Sequence, residues 1–195
     1  MEVVGWYGTT KYAKNKIEKE GFRYVKYKPG ISQQRYLNDL GNGIYFFLPF
    51  NNDTGEKIAL VYVTSYKDRI LQKKQTSPAL LKCLLTLNDS QILDLDDKKI
   101  RLLIEEFAKK FKDVLDKELD SIADSGAKNR ALKQKQNFGL IIELFIQLVE
   151  TYRQDTKYQA VISTTYTDLP QLPRIDGKNG KEICIRKSDT ITIIN

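Results

Sequence analysis

Apolar residues are spaced in two ways along this chain, and the two spacings divide it into three stretches. From Val3 to Leu95, and again from Tyr158 to Ile194, they come in short extended runs; between Ile100 and Val149 they recur every three or four positions. The second spacing marks one face of an α-helix, because about 3.6 residues per turn brings every third or fourth side chain to the same side. Ile100, Leu103, Ile104, Phe107, Phe111, Val114, Leu115 and Leu119 predict a first long helix on that basis. A second is predicted from about Leu132 to Tyr152, where Phe138, Ile141, Ile142, Leu144, Phe145, Leu148 and Val149 make most of the circumference apolar. The two are expected to pair as an antiparallel hairpin, joined by an exposed basic connector over 124–136 that carries Lys128, Arg130, Lys133 and Lys135.

The extended runs read as strands. Val3–Tyr7 is followed by Gly8-Thr9-Thr10 as turn and cap, then by a helix over 11–20 that Gly21 ends, since glycine supplies the left-handed residue a helix stop needs. Strands are predicted at Phe22–Tyr27, Tyr45–Leu48, Leu80–Leu87, Ile92–Leu95, Tyr158–Thr165, Glu182–Arg186 and Thr190–Ile194. Pro29-Gly30 marks a turn, and residues 167–180 a loop. Periodicity leaves Glu56–Ser65 open between helix and strand, with Ile58, Ala59 and Val61 inward in either case. Strands at both ends with helices gathered between them argue for an α+β architecture rather than a doubly wound sheet.

A length of 195 residues fits a single domain, 1–195, with a helical insertion at about 97–155. The balance of 41% hydrophobic and 29% charged residues, without any apolar run of membrane-spanning length or a secretory leader at the N-terminus, predicts a cytoplasmic protein with no membrane partner. Cys83 and Cys184 lie in apolar runs, where a cysteine behaves as a small hydrophobe; neither a disulfide framework nor a metal site is expected. Histidine is absent, which excludes Ser-His and Cys-His nucleophile pairs and any histidine base. The formal charge of +7 points weakly to an anionic partner, because the excess is lysine spread along ordinary solvated helix faces. Neither a P-loop nor a Gly-x-Gly-x-x-Gly fingerprint is present.

Three short segments carry the candidate chemistry: Trp6-Tyr7-Gly8-Thr9, Leu40-Gly41-Asn42-Gly43-Ile44-Tyr45-Phe46 and Lys181-Glu182-Ile183-Cys184-Ile185. Taken singly each has an ordinary structural meaning. Asn-Gly is a hairpin turn, Tyr7 a core aromatic, Gly8-Thr9 a turn with a helix cap, and Glu182 a solvent-facing strand carboxylate. Taken in order, they resemble the ADP-ribosyltransferase fold in its diphtheria-toxin-like and poly(ADP-ribose)-polymerase-like branch. There a strand with His-Gly-Thr or His-Gly-Ser precedes a helix, a Leu-Gly-x-Gly-Ile-Tyr-Phe strand follows, and a later strand bears a glutamate. The likeness covers about residues 3–65 and 158–194, with 97–155 outside it.

The resemblance implies a split β-sandwich of two packed, mainly antiparallel sheets that cleaves NAD at the nicotinamide bond and needs no metal. It implies Glu182, Tyr45 and Tyr7 as the catalytic set: Glu182 on the ribose 2′-hydroxyl beside the developing positive charge, Tyr45 stacked on nicotinamide, and Tyr7 where the family has histidine. Gly8, Thr9, Gly43 and Tyr62 would contact NAD, and Lys57 falls in the same segment as Tyr62. The partners implied are NAD, a macromolecular acceptor (nucleic acid or an anionic protein surface) and, for a bacterial or phage toxin or defence effector, an antitoxin. An NAD glycohydrolase would use the same residues. A non-catalytic module of the same fold, or a basic nucleic-acid binder stacking bases on Trp6, Tyr7 and Tyr45, are the other classes. Glycine at 180 means that the paired-glutamate motif of arginine-modifying relatives is not present, and Ser163-Thr164-Thr165 is read as plain strand.

Overall fold

The computed structural model describes residues 1–28, 37–51, 53–66, 77–123, 130–165 and 179–194. Pro29-Gly30, residues 167–178 and positions 124–129 of the basic connector lie outside the described residues. The elements are β1 (Glu2–Thr10), α1 (Lys11–Glu20), β2 (Ile44–Leu48), α2 (Glu56–Tyr66), β3 (Pro78–Thr86), β4 (Ile92–Asp94), α3 (Lys98–Lys110), α4 (Lys112–Ala123), α5 (Arg130–Tyr152), β5 (Ala160–Thr165), β6 (Gly180–Ile185) and β7 (Ile191–Ile194). The result is a mixed α/β chain with five described helices and one seven-stranded sheet in the order β4-β5-β6-β2-β1-β3-β7. Two packed sheets were expected; all seven strands instead share one hydrogen-bonded order.

That order has one weak place. β1 and β3 run in register from Glu2 opposite Thr86 to Thr10 opposite Pro78, and β2 and β6 from Ile44 opposite Ile185 to Leu48 opposite Lys181. Between these two ladders, β1 and β2 lie side by side but are paired at one position, Trp6 opposite Phe47. Had their ladder continued, Gly8 would face Tyr45. The sheet is thus nearly divided along a seam, with β4, β5, β6 and β2 on one side and β1, β3 and β7 on the other.

Side-chain alternation gives the sheet two apolar faces. Ile44, Phe46, Leu48, Leu81, Cys83, Leu85, Ile162, Ile183 and Ile185 form one core, against which Ile17 of α1 and Phe22 and Tyr24 pack. The predicted strand Phe22–Tyr27 is therefore a correction: these residues join no sheet, and their alternation serves packing alone. On the other face, Val161 and Cys184 pack with Ile104, Phe107, Ile142, Phe145 and Ile146 of α3 and α5, while Phe47 packs with Ile58, Ala59 and Val61 of α2. The segment left open over 56–65 is helical, and the three residues expected inward are buried.

The helical stretch read as an insertion also has a place in the connectivity of the sheet. β4 and β5 pair in parallel, and parallel neighbours need a crossover rather than a hairpin. α3 to α5 form that crossover and cover one face of the sheet. The single first helix expected over 100–119 is two, broken at Phe111, whose N–H still reaches the Phe107 carbonyl at 2.9 Å. No glycine or proline marks the break. No helix among the described residues is long and apolar enough to cross a membrane.

Candidate active site

The seam opens into a cavity of about 500 Å³, within the range of small-molecule sites. Its walls come from three directions. β1 supplies Tyr7 and Gly8; β2 and the turn before it supply Asn38, Asp39, Gly43, Ile44, Tyr45 and Phe47; β6 supplies Glu182. α2 adds Tyr62, and α1 with the residues after it forms a polar rim that includes Lys16, Glu20 and Arg23. Arg23 Nη2 is bonded to Glu20 Oε2 at 2.6 Å.

Six of the seven residues singled out in the sequence line this cavity: Tyr7, Gly8, Gly43, Tyr45, Tyr62 and Glu182. Thr9 does not; it is buried opposite Ala79 in the β1–β3 ladder. The helix cap is Thr10, whose Oγ1 accepts from the Ala13 N–H at 3.2 Å. Lys57 is exposed on α2, away from the cavity wall.

Glu182 sits between Phe47 of β2 and Ser163 of β5, nearly buried, with Oε1 accepting from Thr165 Oγ1 at 2.8 Å. Expected in isolation to face solvent, it is instead a strand carboxylate presented to an internal space. Ser163-Thr164-Thr165 is strand, as expected, and in addition Thr165 bonds Glu182. Thr164 is engaged as well, donating from N–H and Oγ1 to Asp96 at 2.9 and 2.8 Å.

Tyr45 holds the turn that precedes it. Its hydroxyl donates to the Gly41 carbonyl at 2.7 Å and accepts from the Leu40 N–H at 3.0 Å. Burial pushes its pKa well above the usual tyrosine value, and the nearby Cys184, Asp39 and Glu182 push the same way. The hydroxyl is therefore a fixed neutral group, and what Tyr45 offers a ligand is its ring. Tyr62 stands beside Phe47 with ring centroids 5.5 Å apart, adding a second aromatic wall.

Two placements differ from the expectation. Tyr7 and Gly8 are successive strand residues and point to opposite faces. The Tyr7 ring lies in an aromatic trio with Phe22 and Phe46, at 5.2 and 5.7 Å, on the face away from Glu182, while Tyr7 also lines the cavity. Gly8 is glycine for a packing reason: a Cβ there would lie 2.6 Å from the Ala59 carbonyl of α2. What Gly8 provides is close approach to a helix.

The Gly-Asn-Gly segment is likewise tighter than a simple hairpin. Positive φ occurs at Gly41 (87°) and not at Asn42 or Gly43, and a Cβ on Gly43 would land on Cys184 Sγ and lie 2.6 Å from the Ile185 carbonyl. A Cβ on Gly41 would meet a carboxylate no motif had singled out, Glu143 of α5. Glu143 is fully buried and is gripped by both terminal nitrogens of Arg186, Nη1 to Oε1 and, at 3.1 Å, Nη2 to Oε2. Its signal was present in the sequence: a lone acid within Leu140-Ile141-Ile142-Glu143-Leu144-Phe145-Ile146 needs a partner. Both cysteines are free and buried; burial pushes the Cys83 thiol up to about 12 and the Cys184 thiol higher, so neither is a nucleophile.

No protein-family model, curated protein or solved structure matches this chain.

Proposed function

We propose that this chain is an NAD-dependent ADP-ribosyltransferase whose reaction takes place at the β1–β2 seam. One observation carries the reading: residues named from three separate segments, Tyr7 and Gly8, Gly43 and Tyr45, and Glu182, line one cavity. An ADP-ribosyltransferase-like fold is the corresponding fold proposal, and the near-division of the single sheet at Trp6 and Phe47 supports it.

In the proposed reaction the bond between ribose C1′ and the nicotinamide nitrogen breaks, and its electron pair leaves with nicotinamide. The oxocarbenium ion left at C1′ is captured by a nucleophile of the acceptor, which forms the new bond and releases its proton to solvent. Glu182 places negative charge beside the ion, in a position fixed by the Thr165 hydroxyl before substrate arrives. Tyr45 and Tyr62 supply aromatic surface for the nicotinamide ring. The acceptor is proposed to be a macromolecule, nucleic acid or an anionic protein surface, in keeping with the +7 charge. A toxin or defence effector restrained by an antitoxin would have this chemistry, a role that rests on analogy.

A second reading has its own observation. Because the Tyr7 ring is packed between Phe22 and Phe46, the group standing where the family has histidine serves the core, which favours a non-catalytic binding module. Nicotinamide release from NAD, measured with and without protein and nucleic-acid acceptors, separates the readings. Release that requires an acceptor and is lost in Glu182→Gln supports the transferase; release into water alone indicates a glycohydrolase. NAD binding without any release, with acceptors supplied, overturns the enzyme in favour of the binding module.

A further inference from the structure

We propose that Glu143 and Arg186 are positioning residues for the seam cavity, holding the 40–43 turn so that Asp39, Gly43 and Tyr45 around it line the cavity. The inference rests on the seam cavity being the ligand site.

A carboxylate buried among Leu140, Ile142, Phe145 and Ile146 is tolerated only with charge and hydrogen bonds to meet it. Arg186 supplies the charge. Burial pulls the guanidinium pKa down, but the adjacent Glu143 charge and hydrogen bonds, with Tyr24 and Cys184, raise it further than burial lowers it, so the guanidinium stays charged. The geometry goes beyond pairing, because Oε1 also accepts the backbone N–H of Asn42 at 2.7 Å. Asn42 is held on its other side too, its Nδ2 donating to the Val25 carbonyl at 2.5 Å.

This one carboxylate therefore ties together three elements that have no sequence proximity. It comes from α5; its cation follows directly on β6, four residues beyond Glu182; its amide partner lies in the turn before β2. On either side of Asn42, Asp39, Gly43 and Tyr45 line the cavity. The Tyr45 hydroxyl fixes Leu40 and Gly41, and Gly43 is wedged against Cys184 and Ile185. Glu143 holds the residue between them.

The test replaces both partners at once, since removing either alone leaves a buried charge whose cost to stability would mask any effect on the turn. Glu143→Gln/Arg186→Gln keeps an acceptor for the Asn42 N–H without ions; Glu143→Leu/Arg186→Met keeps the volume and removes the acceptor. Both are compared with the wild type for NAD affinity, thermal midpoint and hydrogen exchange at the Asn42 amide. With both double variants melting within about 3 °C of wild type, the Leu/Met variant is expected to bind NAD about ten- to a hundredfold more weakly and to exchange the Asn42 amide faster, while the Gln/Gln variant retains both properties. Equal NAD binding in the two double variants overturns the proposal. If the Leu/Met variant does not fold, the wild type decides, because Asn42 exchanging as fast as an unprotected loop amide overturns the anchoring. Should the wild type not bind NAD, the reading of the site fails, and the Asn42 exchange difference between the two double variants still upholds or sinks the anchor by itself.

Discussion

Glu143 and Glu182 are both carboxylates withdrawn from water, yet they are kept in very different company. Glu143 lies on a helix in an apolar layer, gripped by a guanidinium and by a backbone amide. Glu182 lies on a strand at the wall of a cavity, its Oε1 bonded to the hydroxyl of Thr165. The first arrangement spends the negative charge on the protein itself. The second directs it toward a space that a ligand can enter. Burial of an acid therefore does not identify a catalytic group; what the acid faces does.

The sharpest way to break this comparison is to remove Glu143 alone. Glu143→Ala leaves Arg186 buried without its counter-charge and is expected to cost about 3–5 kcal/mol, read as a lowered urea midpoint. A loss below about 1 kcal/mol would show that the pair does not hold the fold. Glu182→Gln should give the opposite profile. Its amide oxygen still accepts from Thr165, so stability stays within about 1 kcal/mol, while nicotinamide release falls by about 10²–10³-fold. Should both substitutions act alike, on stability only, the contrast between the two acids disappears.

Smaller effects probe the cavity walls. Gly8→Ala drives a methyl into the Ala59 carbonyl and is expected to cost about 1–3 kcal/mol in thermal or chemical unfolding. Tyr45→Phe removes one donor and one acceptor from the 40–41 turn, for about 1–2 kcal/mol by the same measurement, with the stacking face retained.

The mildest expectation concerns pH. Cys83 and Tyr24 are raised from 9.0 and 10.0 to about 12, in both cases mainly by burial. The unfolded chain ionises first, so it binds fewer protons than the native state from about pH 9 upward, and stability falls as pH rises from there through about 12. With no histidine to titrate, the urea midpoint should be nearly level from about pH 6 to 8. A steep change in that neutral window would contradict the assignment.

Much of the scaffold was legible because local rules and tertiary packing agree in it. Thr10, Gly21 and the apolar faces of α3 and α5 announced their elements directly. Phe22–Tyr27 misled because alternation is equally consistent with a strand and with an unpaired segment lying on a core. That the helical stretch is also a crossover was not legible, because the parallel pairing of Ile92 with Ala160 depends on contacts far apart in sequence. In the site, the order of motifs indicated Glu182, Tyr45 and Gly43 as neighbours, and they do line one cavity. It could not show that Tyr7 and Gly8 point to opposite faces there, nor that α2 lies over Gly8. Glu143 and Arg186 were invisible to motif reasoning, because their meaning lies in a contact between a helix and a strand end.

The register that sets Phe47 opposite Glu182 also has a consequence for the chain as it is made. β2 spans residues 44–48 and its partner β6 spans 180–185, so the nascent polypeptide presents the aromatic wall long before the carboxylate exists. Synthesis at roughly 5–20 residues per second leaves several seconds between the two events. A ribosome-bound chain that has not yet passed residue 182 has a β2 edge without its neighbour and a cavity without its acid. For the proposed chemistry, that timing delays any activity until after translation of β6.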